Sequence, residues 1–275
     1  MNRTAIIFYL IIGLAILSPV WCGADDVYEF SMLPRYFPKK IKSMIEPLAE
    51  HLSGEIGVSV NPVLTKDFSE YEMRLKNGEI EIGYENPLVY TKVSDSHEVL
   101  AMAIKGKGGD RFRGIIITRS DSEIQTLRDL KHKTIMIVGP TSAGGFLSQK
   151  LTLAENGIAV ESDCDLEVAS DNKQENVIIS VSIGDVDAGF IRESALHSAD
   201  QYIQPGTVKV VAPSAWLPNW ALSVNRNLPA ARKDAIRTAM IGLEKDAPVL
   251  KAMGVTGFRP ATDDQYDIVR QVAGP

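Results

Sequence analysis

The chain has 275 residues, 45% of them hydrophobic and 23% charged, with a formal net charge of −6. This is the composition of a folded globular protein with one large or two mid-sized domains, and its acidic balance lacks the basic surplus of a nucleic-acid binder. Two cysteines exclude both a disulfide-rich scaffold and a four-cysteine zinc site.

Met1-Asn2-Arg3 gives a short positive end, and an apolar run from Ala5 to Leu17 follows. Ser18-Pro19 breaks that run, and Cys22 and Ala24 are small residues at −3 and −1 of a cut after Ala24. The pattern predicts a cleavable export signal over residues 1–24. A retained membrane anchor and a lipoprotein cut before Cys22 are the alternatives. Cleavage after Ala24 leaves Cys164 as the only thiol, so the exported chain is expected to be disulfide-free.

Strands are predicted at residues 27–32 and 58–64, around a helix whose apolar residues Ile41, Ile45, Leu48, Ala49 and Leu52 end at Ser53-Gly54. A helix over 68–76 stops at Asn77-Gly78, and strands at 99–104 and 114–119 flank a glycine-rich basic loop from Lys105 to Arg113. A short helix at 127–130 leads to a strand at 134–138, a loop at 139–145 and a helix at 146–155. Strands at 166–169, 187–191 and 208–211 and a helix at 174–183 continue the alternation. The tail is helical from Pro229 to about Lys245 and again from Thr262, where Gln265 completes a capping box. Such alternation predicts α/β architecture with mostly parallel sheets.

One segment recurs. Gly78-Glu79-Ile80-Glu81-Ile82-Gly83-Tyr84 matches Gly184-Asp185-Val186-Asp187-Ala188-Gly189-Phe190 as glycine, acid, aliphatic, acid, apolar, glycine, aromatic. Each copy follows a helix and opens a strand whose carboxyl end would face a crevice, where open α/β sheets bind ligands. Two related lobes are expected, with the chain leaving the first, building the second and returning.

Catalytic chemistry is sparse. His51, His97, His132 and His197 have no metal-ligand spacing, and neither a nucleophile elbow nor a phosphate loop occurs. Asp163 and Asp165 flank Cys164 and raise rather than lower its proton affinity. The sequence therefore predicts a non-enzyme with no metal and no cofactor. The best binding feature is Thr141-Ser142-Ala143-Gly144-Gly145, where backbone N–H groups at a helix start attract anions. Phe68, Tyr84, Tyr90, Phe146, Phe190, Trp216 and Trp220 stand at element ends or in loops, and Arg192 and Glu193 follow Phe190.

The chain resembles the periplasmic solute-binding proteins of phosphate, phosphite and phosphonate ABC importers over nearly its whole mature length. The resemblance is carried by Leu33-Pro34 with Pro38, Glu46-Pro47-Leu48-Ala49 with Leu52, Gly78 to Tyr84, Pro87-Leu88-Val89-Tyr90, Leu127 to Lys133, Gly144-Gly145-Phe146-Leu147 and Gly184 to Gly189. It implies a type II periplasmic binding-protein fold, with two α/β lobes joined by two crossing strands. Lobe one is expected at 25–114 and 213–275, and lobe two at 115–212. It also implies a monomer that takes a small-molecule ligand in the periplasm and docks on an inner-membrane ABC permease, with no nucleic-acid partner. Taken with the residues at element ends, the candidate ligand set is Ser142, Ala143, Gly144, Gly145, Phe68 and Gln174 from the resemblance and Tyr84, Tyr90, Phe190 and Arg192 from their positions.

That set departs from the family's pattern. A Ser-Thr-Ser triplet in the family's anion loop matches Ser142-Ala143-Gly144 here; a tyrosine after an aspartate falls at Phe68, and a histidine at about Gln174. Hydrogen bonds to a charged group are worth about 1.5–3 kcal/mol each, so three missing donors remove decades of affinity unless other groups compensate. Three readings follow: an oxyanion receptor for an importer, the same fold carrying a hydrophobic or lipid-like ligand, and a ligand sensor for a membrane receptor.

Overall fold

A computed structural model describes residues 27–106 and 109–273; the predicted export signal lies outside them. The chain begins with β1 (Val27–Met32), α1 (Pro38–Ile56), β2 (Ser59–Val63), α2 (Phe68–Lys76), β3 (Ile82–Glu85), α3 (Pro87–Val93) and β4 (His97–Ile104). A second group comprises β5 (Arg111–Arg119), β6 (Thr134–Ile137), α4 (Ser148–Glu155), α5 (Val160–Asp163), β7 (Asp165–Val168), α6 (Gln174–Ile183), β8 (Ala188–Arg192), α7 (Glu193–Leu196) and β9 (Val208–Pro218). The chain returns through β10 (Ala221–Asn225), α8 (Ala230–Ile241), α9 (Pro248–Met253), β11 (Gly257–Pro260) and α10 (Asp267–Ala273).

These elements make two lobes. Lobe one holds a six-stranded sheet in the order β11-β4-β10-β3-β1-β2, and lobe two a five-stranded sheet in the order β7-β6-β8-β5-β9. Both are mixed. β1 runs parallel to β2 and β3, and β6 parallel to β7 and β8, as strand–helix alternation predicts. The antiparallel members include β5, β9 and β10, which carry the chain between the lobes. Arg111 pairs with Pro218 at the end of the β5–β9 ribbon. Beyond it, Asn219 N–H donates to the Asp110 carbonyl at 2.8 Å and Ala103 N–H to the Trp220 carbonyl at 2.9 Å. The two crossings thus stay hydrogen-bonded to each other. The predicted lobe limits at 114/115 and 212/213 fall inside β5 and β9.

The internal repeat has a physical basis at each of its positions. Gly78 and Gly184 take φ of 72° and 82° after α2 and α6, the left-handed turn that leads from a helix into a strand. Glu81 Oε2 accepts from Glu29 N–H at 2.6 Å, and Asp187 Oδ2 from Thr134 N–H at 2.9 Å, so each second acid binds the start of the neighbouring parallel strand. Gly83 and Gly189 let a helix lie directly on its strand: a Cβ on Gly83 would stand 3.1 Å from Leu75 Cδ2, and one on Gly189 2.6 Å from Val177 Cγ1. Orders β2-β1-β3 and β7-β6-β8 complete the equivalence.

Several boundaries differ from the periodicity reading. α1 passes through Gly54 and ends where Gly57, at φ 64°, donates to the Ser53 carbonyl at 3.1 Å. α3 has no apolar period, yet forms because Pro87 opens it and Asn86 Oδ1 accepts from Val89 N–H at 2.9 Å. Thr262 and Gln265 form the predicted capping box, with Gln265 Oε1 accepting from Thr262 N–H at 3.2 Å. One apolar cluster spans both lobes: Leu88 of α3 and Val269 and Val272 of α10 pack with Phe112, Phe146 and Leu147. Among the described residues no helix is long and apolar enough to cross a membrane.

Candidate functional site

Ligands of such folds sit at the carboxyl ends of strands, and here those ends carry cations. Arg35 follows β1, Arg192 ends β8, and Lys105 follows β4 at the first crossing. The Arg35 guanidinium lies 4.1 Å from the Trp220 ring centroid and 4.7 Å from that of Tyr36, and its buried Nε has no hydrogen-bond partner among the described residues. Arg192, from the other lobe, stacks 4.1 Å from Phe112. Tyr84 completes the floor, 5.1 Å from Trp220 and edge-on to Phe258 at 6.1 Å.

The three cations act on one another. Burial, then the charges of Arg35 and Arg192, lowers Lys105 to about 8. Burial, then Arg35, lowers Arg192 to about 10. Burial pushes Tyr84 up to about 12 against the pull of Arg35 and Arg192. Among the described residues none of the three cations has a carboxylate within ion-pair distance. The acid adjacent to Arg192 is already engaged: Glu193 takes a bidentate pair of bonds from Arg113, at 3.0 and 2.7 Å. A positive cluster without a paired carboxylate attracts negative charge.

Local sequence explains the posture of lobe two. Ser142 caps a π-helical turn over Ala143–Leu147, its Oγ accepting from Gly145 N–H at 3.1 Å, which leaves the hydroxyl proton for a ligand. Gly144 leaves space for Arg192 to cross, since a Cβ there would meet Arg192 Cβ at 3.1 Å and Phe112 Cε2 at 3.2 Å. Gln174, at the start of α6, accepts Arg192 N–H on Oε1 at 2.7 Å and so holds the end of β8. Across the mouth, Lys173 of lobe two sits 5.9 Å from the ring of Phe37 in lobe one.

Ser142, the Ala143-Gly144-Gly145 turn, Tyr84, Gln174 and Arg192 therefore gather around the lobe interface. Phe68 is half-buried against the lobe-one core. Two expectations need correction. Tyr90 is fully buried; its hydroxyl donates to Asp263 Oδ1 at 2.6 Å and accepts from Val99 N–H at 3.3 Å, and its ring stacks on Tyr266. Phe190 is fully buried within the lobe-two core. Element ends carry core side chains wherever another element covers them, which sequence position alone does not reveal. Arg35, Tyr36 and Lys105 were missed as site residues. Their signal was weak: Arg35 and Tyr36 lie between Pro34 and Pro38, and Lys105 opens the basic loop.

Among the described residues no group of three His, Cys, Asp or Glu is arranged to hold a metal. Cys164 is buried, and burial with Asp163 and Asp165 raises its thiol.

Comparison with known proteins agrees with the two-lobed fold. The phosphate-import protein PhnD of Mycolicibacterium smegmatis is 23% identical over 277 aligned residues, covering 91% of this chain and 86% of that protein. A binding-protein component of an ABC phosphonate transporter from Pseudomonas aeruginosa superposes with a TM-score of 0.70 at 21% identity, over 90% of this chain and 85% of its own. PhnD1 of Prochlorococcus marinus, solved with methylphosphonate, gives 0.72 at 13% identity, over 90% and 96%. Residues 30–266 match the family described as ABC transporter, phosphonate, periplasmic substrate-binding protein, and the chain belongs to that family.

Proposed function

We propose that this protein captures a small phosphorus oxyanion, phosphate or an alkylphosphonate, between its lobes and presents it to an inner-membrane ABC permease after export by the signal at residues 1–24. The reading rests on one observation: Arg35, Lys105 and Arg192 converge on the lobe interface with no acidic partner among the described residues. They replace, with charge, the hydroxyl donors absent at Phe68, Ala143 and Gly144. Charge-assisted bonds from guanidinium groups are stronger than those from neutral hydroxyls, so the exchange restores anion affinity. Ser142 Oγ and the backbone of the turn that follows add donors at the second lobe. The relatives fit this ligand class, being a phosphate importer and a methylphosphonate complex. A charged, aromatic-floored site gives the apolar-carrier reading no support.

Closure of the lobes by hinge motion brings the cations of both lobes onto one ligand. Titration calorimetry with phosphate, phosphite and methylphosphonate tests the proposal, and at least one is expected to bind. Arg192→Met is expected to weaken that binding by about 1.5–3 kcal/mol, the value of a hydrogen bond to a charged group. No heat and no thermal shift with any of the three at millimolar concentration sinks it.

A further inference from the structure

The cation cluster also restricts what the bound molecule is, an inference that rests on the oxyanion reading. Arg35 lies on Trp220 in lobe one, Arg192 on Phe112 at the end of β8, and Lys105 follows β4 at the crossing, where both guanidinium charges act on it; two acids at strand ends are turned to other partners. Glu193 is held by Arg113, and Glu85, fully buried, accepts from Tyr71 Oη at 2.7 Å on the helix α2 side of its strand. A singly charged anion leaves most of that positive charge unmatched in a partly desolvated place, whereas a doubly charged one matches it. An ammonium group on the ligand is repelled by all three cations, none of which has a carboxylate within ion-pair distance among the described residues.

Beside the cluster stands apolar surface without a cover. Tyr36, whose ring the Arg35 guanidinium touches, is 43% exposed, and Phe37 next to it is 78% exposed at the mouth. Lys173 reaches over Phe37 from the opposite lobe, so this ring lies on the path between the lobes rather than on a remote face. Phe37 supplies no side-chain cap to α1, and its aromatic ring is therefore not explained by the helix start it occupies.

We propose that the cleft selects an oxyanion with two negative charges on the end held by Arg35, Lys105 and Arg192, attached to an uncharged, ring-bearing body that packs on Tyr36 and Phe37. An arylphosphonate or aryl phosphate has this chemistry. Inorganic phosphate satisfies only the charged end, and an aminoalkylphosphonate violates the second requirement.

Four probes separate the elements of the proposal by competition calorimetry on the full exported chain: methylphosphonate, methanesulfonate, aminomethylphosphonate and phenylphosphonate. Methanesulfonate keeps the size of methylphosphonate with one charge fewer, and is expected to bind at least about tenfold more weakly. Aminomethylphosphonate is expected to be weaker by a similar factor. Phenylphosphonate is expected to bind about fivefold tighter than methylphosphonate, an advantage that Phe37→Ala removes without changing methylphosphonate binding. Lys105→Met, at a half-buried site without a hydrogen bond to lose, is expected to shrink the phosphonate-to-sulfonate ratio while the fold is retained. Equal affinity for sulfonate and phosphonate, tight binding of the aminophosphonate, or no gain from the phenyl ring overturns this inference and leaves the oxyanion receptor standing. Failure of all four probes, together with phosphate, overturns the receptor reading itself.

Discussion

Glu85 lies directly behind Tyr84 and is fully buried, with Oε2 accepting from Tyr71 Oη and Oε1 lacking a hydrogen-bond partner among the described residues. Burial raises it to about 7, while the neighbouring hydroxyls of Ser223 and Tyr71 oppose the rise. A carboxyl whose folded value stands above its unfolded one holds its proton longer in the native state. Between about pH 4.5 and 7 the unfolded chain has released that proton and the folded chain has not, so this group's contribution to stability falls as pH rises through the window. Glu85→Gln keeps an acceptor for Tyr71 and removes the titration. It is expected to stabilise the protein at pH 8 by on the order of 2–3 kcal/mol, and to flatten the pH dependence of denaturant unfolding. A variant with an unchanged slope over that window contradicts the assignment. At this scale the sequence was partly readable. Arg192 stood out because it follows the aromatic of a repeated motif, whereas Arg35 and Lys105 look like ordinary loop cations until the fold places them together.

Between elements, the repeat sets how each helix meets its strand. In lobe two that contact is at Gly189, where a Cβ would approach Val177 Cγ1 to 2.6 Å and Val181 Cγ2 to 2.7 Å. Gly189→Ala must push α6 off β8, and α6 carries Gln174, which holds the Arg192 N–H. The substitution is expected to cost about 1–3 kcal/mol in chemical denaturation and to weaken anion binding as well, because it displaces the end of β8. Full stability and full affinity in this variant would show that the close helix–strand contact is not needed. Both copies of the motif were visible in the sequence, including the acids that bind the starts of β1 and β6. Helix α3 was not, since a capped proline start without an apolar period resembles a loop.

Across the whole molecule, α10 ties the lobes together. Val269 is 1% exposed and packs with Leu88 of lobe one and with Phe146 and Leu147 of lobe two. Shared apolar burial couples the lobes, so the native protein is expected to unfold in one calorimetric transition despite its two sheets. Val269→Asp buries an unpaired charge in that shared cluster, at a cost of about 3 kcal/mol or more. It is expected to split the transition into two as the lobes uncouple. A single transition in the variant would mean that the β5–β9 crossing ribbon, rather than α10, transmits the cooperativity.

The α/β class and the two-lobed plan were legible in the sequence because they follow from periodicity, turn glycines and a repeated motif, and the family was legible as a resemblance carried by short motifs in order along the chain. Local residues suffice for such features. The placement of the cations emerged only with the tertiary structure. Arg35, Lys105 and Arg192 are separated by 70 or more residues from one to the next, and their meaning arises from mutual charge within one desolvated space. Read along the chain, the cleft lacked three of the family's hydroxyl donors, which left an apolar ligand open beside the oxyanion reading. Folding brings together three cations that no linear spacing connects, and the proposed oxyanion site rests on their shared field.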